Sequence, residues 1–342
     1  MLTWNDRRYL PDLFGSIDDQ TDKDFTLRIL DNGSTDGTLE YLSEYHSRTV
    51  VGRNTKNAGF AGGHNQLFQY TIDHLGQEDP DDVFIMVANS DMIWHEDVVR
   101  ELVKALKDDP SLAAVQPKLY RAFGENVGDE VLEETMKSDI LDTTGLSVAK
   151  GFRMSDRGAG ELDKGQYDQQ VDLFGATGTM SLFRLSALLS VQHEKGEIFD
   201  QTFFAYREDC DLAWRLRRAG WKSKFIPSAK AHHYRGMFGA QKQSILQRWQ
   251  NRRNQRPFFA ALSTRNQILL LIKNLSFINF FVYFPWIVFS EGGRVFYGVL
   301  SEPMTRKRVL EIPRLIQEMH KKRKQIFSQS TVPEAEIRSY VK

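Results

Sequence analysis

Alternation of two kinds of segment over the first 120 residues constrains the fold of this chain more than any other feature. Short apolar runs such as "FTLRIL" and "DVFIMVA" are typical of buried strands, and stretches such as "HEDVVRELVKALKDD" between them are typical of amphipathic helices. This order predicts an α/β domain on a parallel sheet. Ligands bind such sheets beyond the carboxyl ends of the strands, so functional residues are expected there.

Carboxylates follow two of the predicted strands. Asp31 comes directly after a strand in "LDNGSTDG", and Asn89 and Asp91 follow the most apolar strand in "ANSDM". A carboxylate such as Asp31 can accept hydrogen bonds from a nucleobase or a ribose hydroxyl, and paired oxygen ligands suit Mg²⁺ or Mn²⁺. An ordinary turn uses the same residue types, so each motif alone has a structural reading as well.

A glycine-rich stretch, "KNAGFAGGHN", lies between the second strand-like segment and a helix. It does not match the G-x-G-x-x-G fingerprint, which argues against a Rossmann dinucleotide site. Gly59 would let the backbone approach a ligand closely, and Asn57 and Asn65 supply neutral donors and acceptors.

The segment "YREDCDLAWRLRRAGW" predicts a helix that begins near Glu208 and ends at Gly220. The carboxylates of Glu208, Asp209 and Asp211 crowd its first turn, where the positive end of the helix dipole favours negative charge. An ordinary acidic first turn and a catalytic carboxylate are both compatible with this pattern. Further along, adjacent histidines occur in "PSAKAHHYRG"; in an extended segment at most one of them should face a site.

Composition excludes several classes of protein. The single cysteine, Cys210, rules out an internal disulfide framework and a zinc site of several cysteines, and suits a reducing cytoplasm. Residues 1–240 carry 27 Lys and Arg against 39 Asp and Glu, a balance of −12, so this part is no general nucleic-acid binder. Residues 241–342 carry 18 against 6, a balance of +12, and this part calls for an anionic neighbour.

The C-terminal hundred residues are also rich in aromatic side chains. Their longest charge-free run, residues 274–290, has 17 residues and is short for a spanning helix, which needs about 20. We expect it to lie at a membrane surface, with Tyr283, Trp286 and flanking cations at the headgroup level. A helical subdomain or oligomer contact, and a spanning segment, are the alternatives.

The motifs occur in a recognisable order. The series TWN, DNGSxDGT, NxGFAxGxN, NxD, a Gly-Ala turn, FDxxFFxYxEDxDLxxRLxxxGW and PxAxxxHxxG, over residues 3–236, resembles the inverting family 2 glycosyltransferases of GT-A fold. It is most similar to their rhamnosyltransferase-like branch, which "DTTGL" and "RGAGELDKGQYD" also resemble. The likeness is weaker beyond residue 240. It implies a GT-A catalytic domain at residues 1–240, a mixed Rossmann-like sheet, and a membrane-associating helical region at residues 241–342.

The resemblance also implies roles for individual residues. Asp209 corresponds to the general base, and Asp91 and His233 to ligands of Mg²⁺ or Mn²⁺, with Asn89 where other branches carry an aspartate. Glu208 and Asp211 would orient the acceptor or pair with arginines such as Arg207 and Arg215. The residues that it assigns to substrate binding are Thr3, Asn5, Asp31, Asn57, Gly59, Asn65, Asn89, Glu208 and Arg215.

The implied reaction transfers a sugar, with inversion, from a nucleoside diphosphate sugar to a lipid-linked or polysaccharide acceptor of the cell envelope. The expected donor is dTDP-L-rhamnose, and the expected location is the cytoplasmic face of the cell membrane, against anionic lipid. A nucleotidyltransferase would carry a glycine-rich phosphate loop with Arg and Lys near its N-terminus, which "MLTWNDRRYL" does not resemble. A catalytically silent protein of the same fold is the other alternative.

The resemblance predicts more apolar residues before Thr3 than the two present, Met1 and Leu2. A short first strand, a truncated chain and a misassigned start codon are all open explanations. The mechanism further requires that Asp209 lie close to Asp91, although the two are far apart in sequence.

Overall fold

The computed structural model describes residues 1–126, 132–234 and 257–342. Strands and helices alternate through the N-terminal part, as the sequence predicts. Its helices are α1 (Leu10–Asp18), α2 (Thr38–Tyr45), α3 (Gly59–Asp73), α4 (Val98–Asp108), α5 (Leu185–Ser190) and α6 (Glu208–Arg218). Its strands are β1 (Leu2–Thr3), β2 (Ile29–Asp31), β3 (Val50–Arg53), β4 (Phe84–Ala88), β5 (Met92–Trp94), β6 (Leu112–Asn126), β7 (Leu132–Thr143), β8 (Leu146–Val148), β9 (Met154–Asp156), β10 (Asp172–Leu173), β11 (Met180–Arg184) and β12 (Lys222–Tyr234).

The strands form two main sheets. Strands β1, β2 and β3 make a small parallel sheet, and the larger sheet has the order β10-β12-β6-β11-β4, with β5 beside β12 and β7 beside β6. Strand β11 runs antiparallel to both β4 and β6, so the larger sheet is mixed. The parallel order expected from the alternation holds for the small sheet and for β12 beside β6, and β11 breaks it.

Helix α4 shows why the N-terminal pattern folds as predicted. Its buried residues, Val98, Val99, Leu102 and Leu106, recur at helical spacing and face the main core. The Gly- and Asp-rich sequence of residues 121–170 predicts loops and a hairpin, and this region contains the antiparallel β6–β7 pair and the short β8–β9 pair. The stretch "LFGATGTMSLFRLSAL" predicts a glycine-rich turn that leads straight into a helix. This was wrong, because β11 lies between the turn and α5, with its apolar residues buried in the sheet.

The first strand is short, with only Leu2 and Thr3 paired to β2. The amino group of Met1 donates a hydrogen bond to the carbonyl of Arg28 (2.8 Å), and its burial lowers the pKa of this group to about 5. A cavity of about 530 Å³ adjoins it, and its lining includes Leu27 beside the small sheet and Phe84 and Leu182 of the larger one.

Helices make up the described C-terminal residues. They are α7 (Pro257–Asn274), α8 (Phe277–Val282), α9 (Phe284–Ile287), α10 (Gly293–Ser301), α11 (Pro303–Val309), α12 (Ile312–Ser328) and α13 (Glu334–Ser339), with a π-helical turn at Val288–Gly292. Among the residues that the structure describes, no helix is both long and apolar enough to cross a membrane.

The C-terminal helices share a core with the sheet domain. Leu269 and Leu270 of α7 and Met319 of α12 belong to the same buried cluster as Phe152 and Trp214. The predicted domain boundary at residue 240, and the last motif glycine, Gly236, lie outside the described residues. The described residues before that gap and those after it pack together in this one cluster.

A buried ion pair accompanies this packing. The ammonium of Lys273, on α7, lies 2.6 Å from a carboxylate oxygen of Asp200 and 2.9 Å from one of Asp211 on α6, and all three side chains are fully buried. Lys273 and the nearby Lys322 overcome the effect of burial and hold the pKa of Asp200 well below its usual value. Helix α7 is therefore joined to α6 by charge as well as by apolar contact.

Replacement of Lys273 by Met should lower the free energy of unfolding by about 3–5 kcal/mol, because two buried carboxylates then lose a cation. The control is Lys321→Met: Lys321 and its partner Glu194 are each 69% exposed, so a change within about 0.5 kcal/mol is expected. Urea denaturation measures both variants. Equal losses in the two would contradict a structural role for the buried pair.

Candidate active site

The end of β2 organises the first part of the site. Asp31 is fully buried; its Oδ2 accepts hydrogen bonds from the amides of Gly33 (3.2 Å) and Ser34 (3.1 Å). Thr3 pairs with it in register across β1 and β2 and donates to its Oδ1 at 3.5 Å, and Nε of Arg53 lies 3.6 Å from Oδ2. The turn-forming role of Asp31 is thus visible, and contact with a nucleobase stays a prediction.

The N-terminal "TWND" segment joins this turn to the "NSD" segment. The Asn5 amide donates to Ser34 Oγ (2.9 Å), and Asn5 Oδ1 accepts from the Thr35 amide (2.9 Å). One residue further on, the Asp6 carboxylate accepts a hydrogen bond from Ser90, which stands between Asn89 and Asp91. Burial raises the pKa of Asp6 to about 7 despite that bond. Sequence reasoning missed Asp6, although it directly follows the TWN motif.

The glycine-rich stretch is bound to the same turn. Asn32 Nδ2 donates to Asn57 Oδ1 (3.0 Å), and Asn57 Oδ1 also accepts from the amide of Gly59 (2.7 Å). Gly59 has φ +76°, and a Cβ there would lie 2.4 Å from the carbonyl oxygen of Phe204. Only glycine therefore lets α3 begin against the loop that precedes α6. Asn57 and Gly59 thus hold the turn and the start of α3 together, and their contact with the donor stays a prediction.

Asn65 contributes to the framework of the site. Its Nδ2 donates to the carbonyl of Phe199 (2.7 Å), and its Oδ1 accepts from the amides of Ile198 and Phe199. The side chain is buried, and both its polar atoms are engaged within the fold. These contacts give Asn65 a structural role, and its contact with the donor stays a prediction.

His233 and Asp91 meet at the edge of the larger sheet. His233 Nε2 lies 3.1 Å from Asp91 Oδ1 and 3.5 Å from Asn89 Nδ2, while His233 Nδ1 is 2.8 Å from Asp142 Oδ2. The neighbouring His232 points the other way and stacks on Tyr120, with ring centroids 5.4 Å apart, as the alternation of an extended strand requires. Of the two histidines, His233 is the one that faces the candidate site.

The donor set around His233 fits a divalent cation. When Nδ1 carries the proton and shares it with Asp142, Nε2 is left as a ligand beside the Asp91 carboxylate, the usual order of carboxylate, histidine and metal. Burial by itself would lower the pKa of His233, but Asp91 and Asp142 outweigh it and raise the pKa to about 9. Two carboxylates on one imidazole therefore favour positive charge here, and a divalent cation would take the place of the proton on Nε2. Asp142, in "DTTGL", is a functional candidate that sequence reasoning did not single out.

A second cluster of metal-ligand types does not fit a cation in the same way. His193, Asp200 and Asp211 offer atoms within 4.8 Å of one another, but the Lys273 ammonium already lies against both carboxylates. Burial, followed by the charges of Arg215 and Lys273, lowers the pKa of His193 to about 3. The Lys273 ammonium is the cation of this cluster, and the cluster has a structural role in holding α6.

Asp209 lies at the start of α6, which runs from Glu208 to Arg218 as predicted. Its Oδ2 accepts from the amide of Gly178 (3.1 Å) and its Oδ1 from the amide of Cys210 (2.7 Å). The next residue of the turn, Thr179, accepts a hydrogen bond from the amide of Asn89 (2.9 Å). Two consecutive residues thus connect Asp209 to the group of Asn89, Asp91 and His233.

The other residues predicted at this helix start have different environments. Glu208 is buried, and its Oε2 atom has no hydrogen-bond partner among the described residues; burial, with Asp209 next to it, raises its pKa to about 8. Arg215, on α6, is buried and donates hydrogen bonds to Asp211 (2.9 Å) and to the Val191 carbonyl (2.7 Å). The predicted pairing of Asp211 with Arg215 is confirmed, and Arg215 has a structural role.

The loop before α6 has an unusual backbone. Phe204, Tyr206 and Arg207 all have positive φ, at 63°, 69° and 78°, a conformation that costs roughly 1–2 kcal/mol for a residue with a side chain. Such conformations persist where surrounding contacts hold them, and they cluster at functional sites. The Ala61 amide donates to the Phe204 carbonyl (3.1 Å), which connects this loop to the start of α3.

Comparison with known proteins identifies the family of the chain. The family model of glycosyl transferase family 2 matches residues 1–190, more than half of the chain. The chain belongs to this family. Asp209 and His233 lie beyond the matched residues, so their roles depend on the geometry and on the motifs around them.

The individual proteins that this chain resembles have low sequence identity to it. The chain is 26% identical, over 242 residues, to N-acetylglucosaminyl-diphospho-decaprenol L-rhamnosyltransferase of Mycobacterium tuberculosis, a match that covers 68% of this chain and 74% of the relative. The crystal structure of GalNAc-T7 with UDP, GalNAc and Mn²⁺ aligns with a TM-score of 0.58 at 12% identity, over 97% of this chain and 56% of that one. The present chain thus spans little more than half of GalNAc-T7, and at this identity the likeness shows the fold alone, which is the GT-A fold predicted from the sequence.

Proposed function

We propose that this family 2 glycosyltransferase transfers a sugar, with inversion, from a nucleoside diphosphate sugar to a lipid-linked or polysaccharide acceptor. The observation that carries the proposal is the Gly178–Thr179 turn, which connects Asp209 to Asn89, Asp91 and His233. A carboxylate for the acceptor hydroxyl and a cation site for the leaving diphosphate therefore share one rim of the sheet. The name of the relative supports L-rhamnose as the sugar and a lipid diphosphate-linked sugar as the acceptor, and dTDP-L-rhamnose is the donor that the sequence resemblance implies.

The proposed chemistry is a single displacement. The acceptor oxygen forms a bond to the anomeric carbon while the bond from that carbon to the diphosphate breaks, and Asp209 takes the hydroxyl proton. Attack opposite the leaving group inverts the configuration. Asp91 and His233 would hold Mg²⁺ or Mn²⁺, whose charge offsets the charge that develops on the diphosphate. Asp142 orients His233 through Nδ1.

Asp209→Asn should cut kcat by about 10²–10⁴-fold, because the amide cannot take the proton, and should leave donor binding nearly unchanged. Diphosphate release measured with and without acceptor gives kcat, and the thermal shift with the nucleotide sugar gives binding. Full turnover in this variant would refute the assignment of the base. A wild-type protein that binds the donor yet releases no diphosphate in the presence of acceptor would instead indicate a catalytically silent protein.

A thermal-shift screen of nucleotide sugars, with and without Mn²⁺, tests donor and metal together. We expect the largest rise in melting temperature with dTDP-L-rhamnose plus Mn²⁺, since a ligand that binds only the folded state stabilises it. Asp91→Asn should remove the Mn²⁺-dependent part of the rise, because one ligand charge is lost. Asp97→Asn, at a comparably exposed surface carboxylate, is the control. A rise that does not depend on Mn²⁺ in the wild type would argue against the metal.

We also propose that the chain binds the cytoplasmic face of the membrane through an aromatic face on α8–α10, defined as Phe277, Phe281, Phe289, Phe296 and Leu300. These side chains are between 64% and 82% exposed, which is unusual for large apolar groups clustered on one part of a chain. Lys150 Nζ lies 5.2 Å from the ring centroid of Trp286 beside them. Aromatic side chains next to cations suit a surface of anionic lipid.

Phe281→Ser with Phe289→Ser should reduce binding to vesicles of phosphatidylcholine and phosphatidylglycerol by about tenfold or more, given the apolar area that two rings bury. Sedimentation with vesicles measures it. Tyr45→Ser is the control, because Tyr45 is 61% exposed on α2. Deletion of the whole C-terminal region would not be equivalent, since it also removes Lys273 and part of the core. Unchanged sedimentation, with loss of a dimer in analytical ultracentrifugation, would identify a second copy as the partner instead.

A further inference from the structure

The backbone from residue 203 to residue 207 determines where α6 begins. Its three positive φ angles are all carried by residues with side chains, Phe204, Tyr206 and Arg207. A segment of this kind keeps its conformation only when neighbouring groups hold it. Asp209 follows two residues later, so whatever holds this loop also fixes the direction of the Asp209 carboxylate.

One side chain of the C-terminal region contacts this loop at three points. The Nδ2 group of Asn266, on α7, donates to the carbonyl oxygens of Phe203 (2.8 Å), Ala205 (2.9 Å) and Tyr206 (2.8 Å). Asn266 is fully buried. The two protons of this one amide are thus shared among three carbonyls of the irregular loop, of which that of Phe203 also accepts from the amide of Ala205 (2.7 Å).

The orientation of this amide follows from its other neighbour. Arg265 donates to Asn266 Oδ1 from both Nε (3.0 Å) and Nη2 (2.9 Å). A guanidinium group has only donors, so the oxygen of the amide must face Arg265 and the nitrogen must face the loop. Arg265 also donates to the carbonyl of Thr202 (2.7 Å), just before the loop.

We infer that Asn266 is a positioning residue for Asp209, and this inference rests on the proposed role of Asp209 as the base. Asn266 holds the loop in its left-handed backbone conformation, the loop sets the start of α6, and α6 presents the carboxylate to the rim that carries Asp91. Substitution of Asn266 should affect the chemical step more than the binding of the donor. None of the hydrogen bonds described for Asn266 goes to the turn that holds Asp31, where the nucleotide is proposed to bind.

The chain offers a matched control in Asn279 on α8. Asn279 is also fully buried, its Oδ1 accepts from Arg338 Nη1 (2.9 Å), and its Nδ2 donates to Glu334 Oε2 (2.6 Å). The chemistry thus resembles that of Asn266: an arginine on the oxygen and an acceptor on the nitrogen. These partners of Asn279 lie on α13 and not in the loop from 203 to 207.

The test compares Asn266→Ala with Asn279→Ala in the full chain. The assay uses dTDP-L-rhamnose, Mn²⁺ and a short-chain prenyl diphosphate-linked N-acetylglucosamine. We expect Asn266→Ala to lower kcat by about 10–100-fold with the donor KM within about threefold, as a displaced catalytic group does. Asn279→Ala should keep kcat within about threefold of the wild-type value, even if its melting temperature falls as much as that of Asn266→Ala. An equal loss of kcat in both variants would overturn the inference.

Asn266→Asp keeps the test decisive if the alanine variant does not fold. Its carboxylate has nearly the volume of the amide and can pair with Arg265, but it cannot donate to the three carbonyls. The same fall in kcat is expected. If both Asn266 variants turn over at the wild-type rate while Asp209→Asn is inactive, the inference alone fails. If the wild type transfers no sugar from any nucleotide sugar in the screen, the proposed function fails, and the inference fails with it.

Discussion

The buried cation of Lys273 is the interaction on which the rest of the structure depends. A charged group without exposure to water is strongly unfavourable unless opposite charges surround it, and Asp200 and Asp211 provide those charges. Without α7 both carboxylates would lose their shared cation and keep one other partner each, Lys322 for Asp200 and Arg215 for Asp211, and α7 could not bury Lys273 without them. Since Asp211 lies two residues after Asp209 on the first turn of α6, the same pair that closes the core also supports the candidate base. The C-terminal helices are thus part of the framework of the site.

The sequence predicted those parts of the fold that short-range patterns determine. Periodicity located α4 and α6, apolar runs located β2, β3 and β4, and the strand ends located Asp31 and Asp91. The site was predictable in outline for the same reason: Asp31 and Asp91 follow the carboxyl ends of β2 and β4. These strands belong to different sheets, and the "TWND" segment joins the two strand ends. His233 could be chosen over His232 only through the likeness to a family, because alternation along a strand says that one of two neighbours faces inward and does not say which.

Long-range partners account for what could not be predicted. Asp142 meets His233 across 91 residues of chain, and Lys273 meets Asp211 across 62, distances over which no local pattern carries information. The excess of positive charge after residue 240 indicated an anionic partner outside the protein, yet Lys273 and Arg265 point inward at carboxylates and carbonyls. The number of charged residues in a segment does not show whether their side chains point to the solvent or to the interior. Strand β11 was missed because its four apolar and small residues, Met180–Phe183, stand beside a turn and fit a strand or a helix start equally well.

The position of α7 has a consequence for hybrid enzymes within this family. Helix α7 supplies Arg265, Asn266, Lys273 and Asn274 to the segment that runs from Thr202 to Asp211. A chimera joined near residue 240 would place a foreign helix against that segment and separate residues that fit each other. A segment exchange intended to change the acceptor would therefore have to take the 200–211 segment and α7 from the same parent enzyme.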